Sequence, residues 1–333
     1  MDFFDILTLI GGLSLFLFGM DQMGSALQRR AGDGLKALLG RLTGGRAAGF
    51  FTGLVVTAVI QSSSAATVMV VGFVNGGLMS LRQAIHVIMG ANVGTTVTAW
   101  IFSLGGIESD NFFLRLLKPT SFAPLLALAG IVCITKHKSG RRRDTGLILL
   151  GFAILMFGLD TMSGAVAGLR EVPQFGEVLL LFSHPLLGVL AGAVVTAVIQ
   201  SSSASVGILQ ALASTGQVSC GAAIPIIMGQ NIGTCVTAML SSVGTGRNAR
   251  RTALVHLSFN VIGTAVLLAA FWLVRTLDAW PWLAEPIDRT GIAVAHSVFN
   301  IAATLLLLPL TGALEHLACR LVPDPPDGTE EKK

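Results

Sequence analysis

An eleven-residue phrase occurs twice in this chain. Val55–Ala65 reads VVTAVIQSSSA, and Val194–Ala204 repeats it letter for letter, 139 positions later. Gly90-Ala-Asn-Val-Gly-Thr-Thr-Val-Thr-Ala99 returns at the same offset as Gly229-Gln-Asn-Ile-Gly-Thr-Cys-Val-Thr-Ala238, and Phe18–Met23 returns as Phe157–Met162. One constant offset across three motifs marks an internal duplication. The repeated letters are mostly Gln, Ser, Asn, Thr and Gly inside very apolar flanks. Polar groups in such places serve something that passes through.

Composition sets the solvent. Hydrophobic residues make up 53% of the chain and charged residues 12%, with a mean hydropathy of +0.75. Several apolar stretches reach the roughly 20 residues needed to span a bilayer. The expectation is an all-α, polytopic membrane protein whose backbone polar groups are satisfied within helices or around a polar cavity. No basic stretch is interleaved with aromatics, which argues against nucleic acid as a partner. The four cysteines (Cys133, Cys220, Cys235, Cys319) are scattered without a CxxC pair and read as small apolar fillers. Asp2 and Asp5 replace the basic start of a cleaved signal, so the first apolar segment is expected to remain as a helix.

Seven spans are expected, at about 5–27, 83–104, 118–136, 145–167, 220–243, 252–275 and 290–311. Two further stretches, about 47–75 and 186–215, carry QSSSA near their middles. Each half is about 12 to 15 residues, too short to cross alone. Two half-helices joined at a serine tip account for each stretch, and each is read as a re-entrant hairpin. The chain then divides into a first repeat (1–139), a second repeat (140–250), C-terminal transmembrane helices (251–315) and a disordered cytoplasmic tail (316–333).

Positive charge orients this layout. Arg29, Arg30, Lys36, Arg41, Arg46 and Arg82 flank the first hairpin. Lys136, Lys138 and Arg141–Arg143 form a second cluster, Arg247, Arg250 and Arg251 a third, and Arg320, Lys332 and Lys333 end the chain. With two re-entrant hairpins all of these fall on one side; only Arg115, Lys118, Arg170, Arg275 and Arg289 fall on the other. The bias marks the cytoplasmic side and puts the N-terminus outside and the C-terminus inside. Trp100, Trp272, Trp280 and Trp282 then lie toward the outer interface. The two repeats consequently run in opposite senses. Inverted repeats with discontinuous helices mark secondary transporters with a substrate site near the midplane.

The tips Gln61-Ser62-Ser63-Ser64 and Gln200-Ser201-Ser202-Ser203 are the candidate site. A half-helix starting after each tip exposes unpaired N–H groups and a positive dipole end, and serine is a favoured cap there. The bland alternative is serine as glue between transmembrane helices. In Gly90–Thr96 and Gly229–Cys235 two glycines four apart are expected to weaken the helix, so that unwound carbonyls with Asn92, Thr95, Asn231 and Thr234 offer hard oxygens to Na⁺. A small-residue packing face is the competing reading. These motifs contain no Lys or Arg. A desolvated oxyanion there must be balanced by helix ends and co-bound cations, which is a reason to expect cation coupling. Asp21 and Asp160, expected near helix ends, are read as cation ligands, gates or solvated ends. His256 with Asn260, and His296 with Asn300, are functional candidates or helix–helix hydrogen-bonding groups. His86, without a repeat partner, is read as structural.

The paired QSSSA tips, the paired G-x-N-x-G-T segments and the H-x-x-F-N segments resemble the type II sodium-dependent phosphate cotransporters and their bacterial relatives, over about 10–310. The resemblance implies Na⁺-coupled transport of inorganic phosphate by an elevator-like motion. It places Gln61, Ser62, Ser63, Ser64, Gln200, Ser201, Ser202 and Ser203 at phosphate, with Gln61, Ser64, Asn92, Thr95, Gln200, Ser203, Asn231 and Thr234 at Na⁺. The chain departs from that pattern at Cys235, which stands where the first repeat has Thr96. It also lacks an evident Asp after Phe102-Ser-Leu-Gly-Gly106, although Glu108 and Asp110 are near.

No enzyme chemistry or cofactor beyond Na⁺ as coupling ion is expected. A serine hydrolase would need a Ser–His pair and an oxyanion hole, and the chain has no GxSxG. A channel, or a carrier of another oxyanion or a carboxylate coupled to H⁺, uses the same residue types. The expected location is the cell membrane, with inorganic phosphate, Na⁺ and lipid as partners and a homodimer as the scaffold an elevator needs.

Overall fold

The protein is described by a computed structural model covering residues 3–41, 45–106, 111, 118–171, 181–182, 184–277 and 280–324. Along the chain run α1 (Phe3–Arg41), α2 (Arg46–Ile60), α3 (Ser63–Asn75), α4 (Leu81–Ser103), α5 (Pro119–Lys136) and α6 (Arg141–Ala167). They are followed by α7 (Pro185–Ile199), α8 (Ser202–Ala213), α9 (Cys220–Ser241), α10 (Arg247–Thr276), α11 (Arg289–Leu307) and α12 (Thr311–Leu321). Among the described residues there is no strand, and the one bridge pairs Ser219 with Pro286. The protein is all-helical.

Seven stretches are long and apolar enough to cross a membrane: those in α1, α4, α5, α6, α9 and α10, and the run Arg289–Leu321. They coincide with the seven expected spans. Large side chains such as Leu125, Val266 and Leu305 are exposed on their outer faces, as a lipid solvent permits. By contrast, α2, α3, α7 and α8 are 12 to 15 residues long. At 1.5 Å per residue they reach only about 18–22 Å, short of a hydrocarbon core of about 30 Å.

Glycine sets the helix pairings. In α1 and α6, a Cβ at Gly19 would lie 2.4 Å from Leu155 N, and one at Gly158 would lie 2.3 Å from Phe16 N. Gly12 meets Gly158 and Gly19 meets Gly151, so these repeat-related helices run antiparallel with their backbones nearly touching. Without a hydrophobic force between helices in lipid, such close backbone contact is what holds them together.

The same device corrects the expectation for the G-x-N-x-G-T segments. Both are continuous helix, within α4 and α9, with no unwound turn. Their glycines receive a neighbour: a Cβ at Gly90 would lie 1.9 Å from the Phe50 carbonyl oxygen, and one at Gly229 would lie 1.9 Å from that of Val189. α2 lies along α4, and α7 along α9. Each glycine costs a helix about 1 kcal/mol relative to alanine. Contact along two facing backbones offsets that cost, and the helical hydrogen bonds survive. Ser80 and Ser219, 139 positions apart, cap the two helices by accepting from Gln83 N and Ala222 N.

Two further expectations change. The tail expected from residue 316 is helical through Leu321, because Leu314 and Ala318, one turn apart, bury against Leu81, Ile85 and Met89. Polar composition near the terminus hid that stripe; residues 325–333 lie outside the described residues, as do Glu108 and Asp110. The boundary expected between 250 and 251 falls inside α10, since Gly246 precedes a single helix from Arg247.

Candidate functional site

Each serine tip joins two short helices through one unusual residue followed by one capping residue. Gln61 has φ 57° and ψ 28°, and Gln200 has φ 58° and ψ 24°. They are the only non-glycine residues with positive φ among the described residues. The left-handed conformation costs an L-residue about 1–2 kcal/mol. It lets Gln61 N donate to Thr57 O at 2.8 Å and Gln200 N to Thr196 O at 2.7 Å, which ends α2 and α7. Ser62 and Ser201 then turn extended, and their hydroxyl oxygens accept from Ala65 N and Ala204 N, both at 3.2 Å. These are N-caps, so the hydroxyls of Ser62 and Ser201, expected at phosphate, have a structural task. The N–H groups of Ser63, Ser64, Ser202 and Ser203 remain in the first turns of α3 and α8, where helix geometry supplies no acceptor. Ser62→Ala is expected to lower unfolding stability by about 1 kcal/mol and Ser62→Asn to leave it nearly unchanged. Thermal unfolding in detergent checks this; equal losses in both would deny the cap.

The two tips meet. Ser64 Oγ donates to the Gln200 carbonyl at 3.3 Å, and Thr237 Oγ1 reaches the same oxygen at 3.5 Å. Ser201 Oγ lies 3.9 Å from Met20 Sδ. α3 packs against α9, and α8 against α4, so the second arm of each tip leans on the other repeat. Ser63, Ser202 and Ser203 are buried; Gln61, Ser62, Ser64 and Ser201 are half-buried, and Gln200 is exposed. At each tip the carbonyl end of one helix adjoins the amide end of the next. One is partially negative and the other partially positive, so a cation and an anion each find a complementary end.

The other expected residues fall into three groups. Asn92, Thr95, Asn231 and Thr234 are buried on α4 and α9. Thr95, Asn231 and Thr234 bond carbonyls of their own helices (Ala91, Gln230 for Thr234, Ile227 for Asn231) at 2.9–3.0 Å. Asn92 Nδ2 is buried without a hydrogen-bond partner among the described residues. His256, Asn260, His296 and Asn300 are buried on α10 and α11. Asn260 Nδ2 donates to Cys235 Sγ at 3.3 Å, a link between helices, while Asn300 Nδ2 returns to the His296 carbonyl at 2.8 Å. His86 is likewise buried, on α4. Asp21 and Asp160 are exposed. Asp21 sits mid-helix in α1 rather than near an end, because α1 runs on to Arg41, and Asp160 faces a separate cavity shared with Ser163 and Arg289.

Thr57, Thr196 and Thr237 were not singled out from the sequence. Thr57 and Thr196 are buried, their carbonyls accept from Gln61 N and Gln200 N at the two tips, and their hydroxyls have no partner among the described residues. Their signal lay inside the repeated phrase itself. Gln210 lacked any such signal; it is fully buried on α8 and donates to the carbonyls of Ala99 and Arg289 at 3.0 and 3.2 Å.

Among the described residues no three His, Cys, Asp or Glu side chains gather as a metal site. The oxygens at the tips (the Gln200 carbonyl and the Ser64 and Thr237 hydroxyls) are hard and neutral, donors suited to Na⁺ rather than to a transition metal.

The sequence pattern of the Na⁺/Pi-cotransporter family matches residues 15–164 and 174–280. YqeW of Bacillus subtilis, whose name assigns no activity, is 32% identical over 337 residues, covering 96% of this chain and 99% of that protein. YjbB of Escherichia coli, provisionally named an inorganic phosphate export protein, is 27% identical over 332 residues; the match covers 97% of this chain and 56% of YjbB. The human sodium-dependent phosphate transport protein 2B is 40% identical over 131 residues, 37% of this chain and 19% of that protein. The chain thus spans about half the length of YjbB and a smaller part of the human protein. No solved structure matches it. The pattern spans both repeats and both serine tips, and the chain belongs to the Na⁺/Pi-cotransporter family, a family of membrane transport proteins and not of enzymes.

Proposed function

We propose that this chain is a secondary active transporter of inorganic phosphate coupled to Na⁺ across the cell membrane. The observation that carries the reading is the meeting of the two tips, Ser64 on the Gln200 carbonyl, in a chain of this family. Phosphate is bound by the N–H groups that open α3 and α8 and by the hydroxyls of Ser63, Ser64, Ser202 and Ser203, with the Gln61 and Gln200 amides closing over it. Na⁺ is bound by the carbonyl ends of α2 and α7 and by the hydroxyls of Ser64 and Thr237. Asn92, Thr95, Asn231 and Thr234 support the tips from α4 and α9.

Magnitudes favour coupling. A helix start contributes at most about 2 kcal/mol to an anion, so two starts supply about 4. Desolvating a phosphate charge costs several kcal/mol per ion. A Na⁺ about 4 Å away returns about 4 kcal/mol at an effective dielectric constant of about 20. A co-bound Na⁺ whose own desolvation is met by the tip oxygens therefore strengthens anion binding.

The antiparallel pairing of α1 with α6 supports inverted repeats, and the shortness of α2, α3, α7 and α8 supports re-entrant hairpins. The charge bias supports a cytoplasmic C-terminus. An elevator motion of the hairpins against a scaffold, held by a homodimer, completes the reading. The name of YjbB raises outward flux as its working direction, and that of the human protein raises Na⁺ dependence.

Radiolabelled phosphate uptake into proteoliposomes, with an inward Na⁺ gradient against a choline control, tests it. Uptake at least tenfold above control is expected, with competition by arsenate and not by sulfate. Uptake driven only by a proton gradient, or only of another anion, would replace the assignment.

A further inference from the structure

At the base of the first hairpin, α3 ends at Asn75, whose Oδ1 accepts from Gly246 N at 2.8 Å just before α10. A polar cavity of about 240 Å³ opens there, lined by Asn75, Arg247, Asn248, Arg251 and Asp324. Arg251 is 6% exposed although charged. Its guanidinium donates to the Val322 carbonyl at 2.9 Å, to Asn248 Oδ1 at 3.0 Å and to Asp324 Oδ1 at 2.8 Å. Arg247 Nη1 lies 4.0 Å from the same carboxylate oxygen.

The exposures are unequal. The Asp324 side chain is 73% exposed and the Arg251 side chain 8%. Asp324 returns to water at little cost, whereas Arg251 cannot follow it, and a buried guanidinium left without an anion is strongly unfavourable. The site therefore calls for an oxyanion whenever the C-terminal segment lifts. Asp324 meets both arginines through one oxygen, Oδ1, and a phosphate oxygen is the same kind of charged acceptor for a guanidinium. The repeat-related position at the other tip also lies beside a basic cavity, with different partners. Ser214, 139 positions after Asn75, ends α8 beside a cavity of about 670 Å³ that Lys118 and Arg289 line, and Arg289 Nη2 donates to its hydroxyl at 3.3 Å.

We infer that Arg247 and Arg251 form a phosphate-oxyanion docking site at the base of the first hairpin, and that Asp324 occupies it as an internal competitor, so that the C-terminal segment restrains phosphate access from its side. The choice of phosphate as ligand rests on the proposed function. An internal competitor lowers apparent affinity by the fraction of time the site is free.

Radiolabelled inorganic phosphate binding to the purified full chain, at fixed ionic strength in phospholipid-free micelles, tests this. Asp324→Asn is expected to bind about 3- to 10-fold more tightly than wild type. The gain should persist when both tips are disabled by Gln61→Gly with Gln200→Gly, and vanish on adding Arg247→Gln, which is partly exposed and safer for folding than Arg251→Gln. Equal affinity in Asp324→Asn and wild type would overturn the inference, as would a gain that survives Arg247→Gln. A parallel arm in nanodiscs with and without phosphatidylglycerol separates the sources: a response to anionic lipid alone, with free phosphate inert, would also overturn it. Na⁺-driven uptake with no Asp324→Asn effect refutes the docking site and leaves the transport reading. The Asp324→Asn gain without Na⁺-driven uptake upholds the site and refutes the transport reading.

Discussion

Gln61→Gly combined with Gln200→Gly is expected to give a protein that folds at least as well as wild type and does not transport. Both residues hold the left-handed conformation, which glycine adopts without a Cβ penalty. The substitution relieves about 1–2 kcal/mol at each tip, against a smaller loss from the greater freedom of glycine in the unfolded chain. The backbone hydrogen bonds that close the tips, Gln61 N to Thr57 O and Gln200 N to Thr196 O, are kept. The two amide side chains go, and with that of Gln61 its hydrogen bond to the Ala58 carbonyl, a loss of about 1 kcal/mol that the relief of strain offsets. If they close over phosphate and Na⁺, Na⁺-driven uptake should fall at least about 100-fold, equivalent to about 2.7 kcal/mol. Thermal stability and uptake should therefore move apart. Retained uptake would remove the amides from the site; a loss of folded protein would mean that the side chains, rather than the left-handed backbone, hold the tips. That strain is kept at two equivalent positions when glycine would relieve it is itself a pointer to function.

The largest structural effect is expected from one added methyl group. Gly90→Ala or Gly229→Ala places a Cβ 1.9 Å from a carbonyl oxygen of α2 or α7. The obstacle is backbone, so no rotamer change relieves it, and the helices must separate along the whole contact. Overpacking typically costs about 1–3 kcal/mol and occasionally more, and a rigid backbone obstacle puts this case at the upper end. The expected result is loss of monodisperse protein from detergent extracts for either variant. Gly72→Ala is the control: it meets nothing within 4 Å, and helix propensity makes it neutral or slightly stabilising. Normal yield and thermal stability in Gly90→Ala would show that α2 and α4 do not approach as described. The same result would reopen the reading of these glycines as helix-weakening sites for Na⁺.

Much of the fold was legible because membrane spans announce themselves. A helix in lipid must be long and apolar, and the seven spans follow from that requirement alone. The serine tips were legible because they are written twice. The G-x-N-x-G-T segments were misread because two glycines four apart mean opposite things in isolation and in contact. Alone they weaken a helix; against a facing backbone they allow the closest packing, and the sequence does not print the partner. The C-terminal helix was missed because its stripe, Leu314 and Ala318, is short and gains meaning only from the cluster it covers.

The amino-acid sequence by itself determined the solvent, the number of spans, the repeat and the residues that turn the chain. Each depends on local chemistry: side-chain hydropathy, helix length, and the preference of serine for a helix start. Tertiary structure alone decided which helices touch, and through that the roles of the polar groups. It brought Thr237 and Ser64 to the Gln200 carbonyl. It also set a tail carboxylate on Arg251. These outcomes join residues 37 to 136 positions apart, and the energy of a hydrogen bond depends on the partner's place in space, which no single stretch of sequence contains.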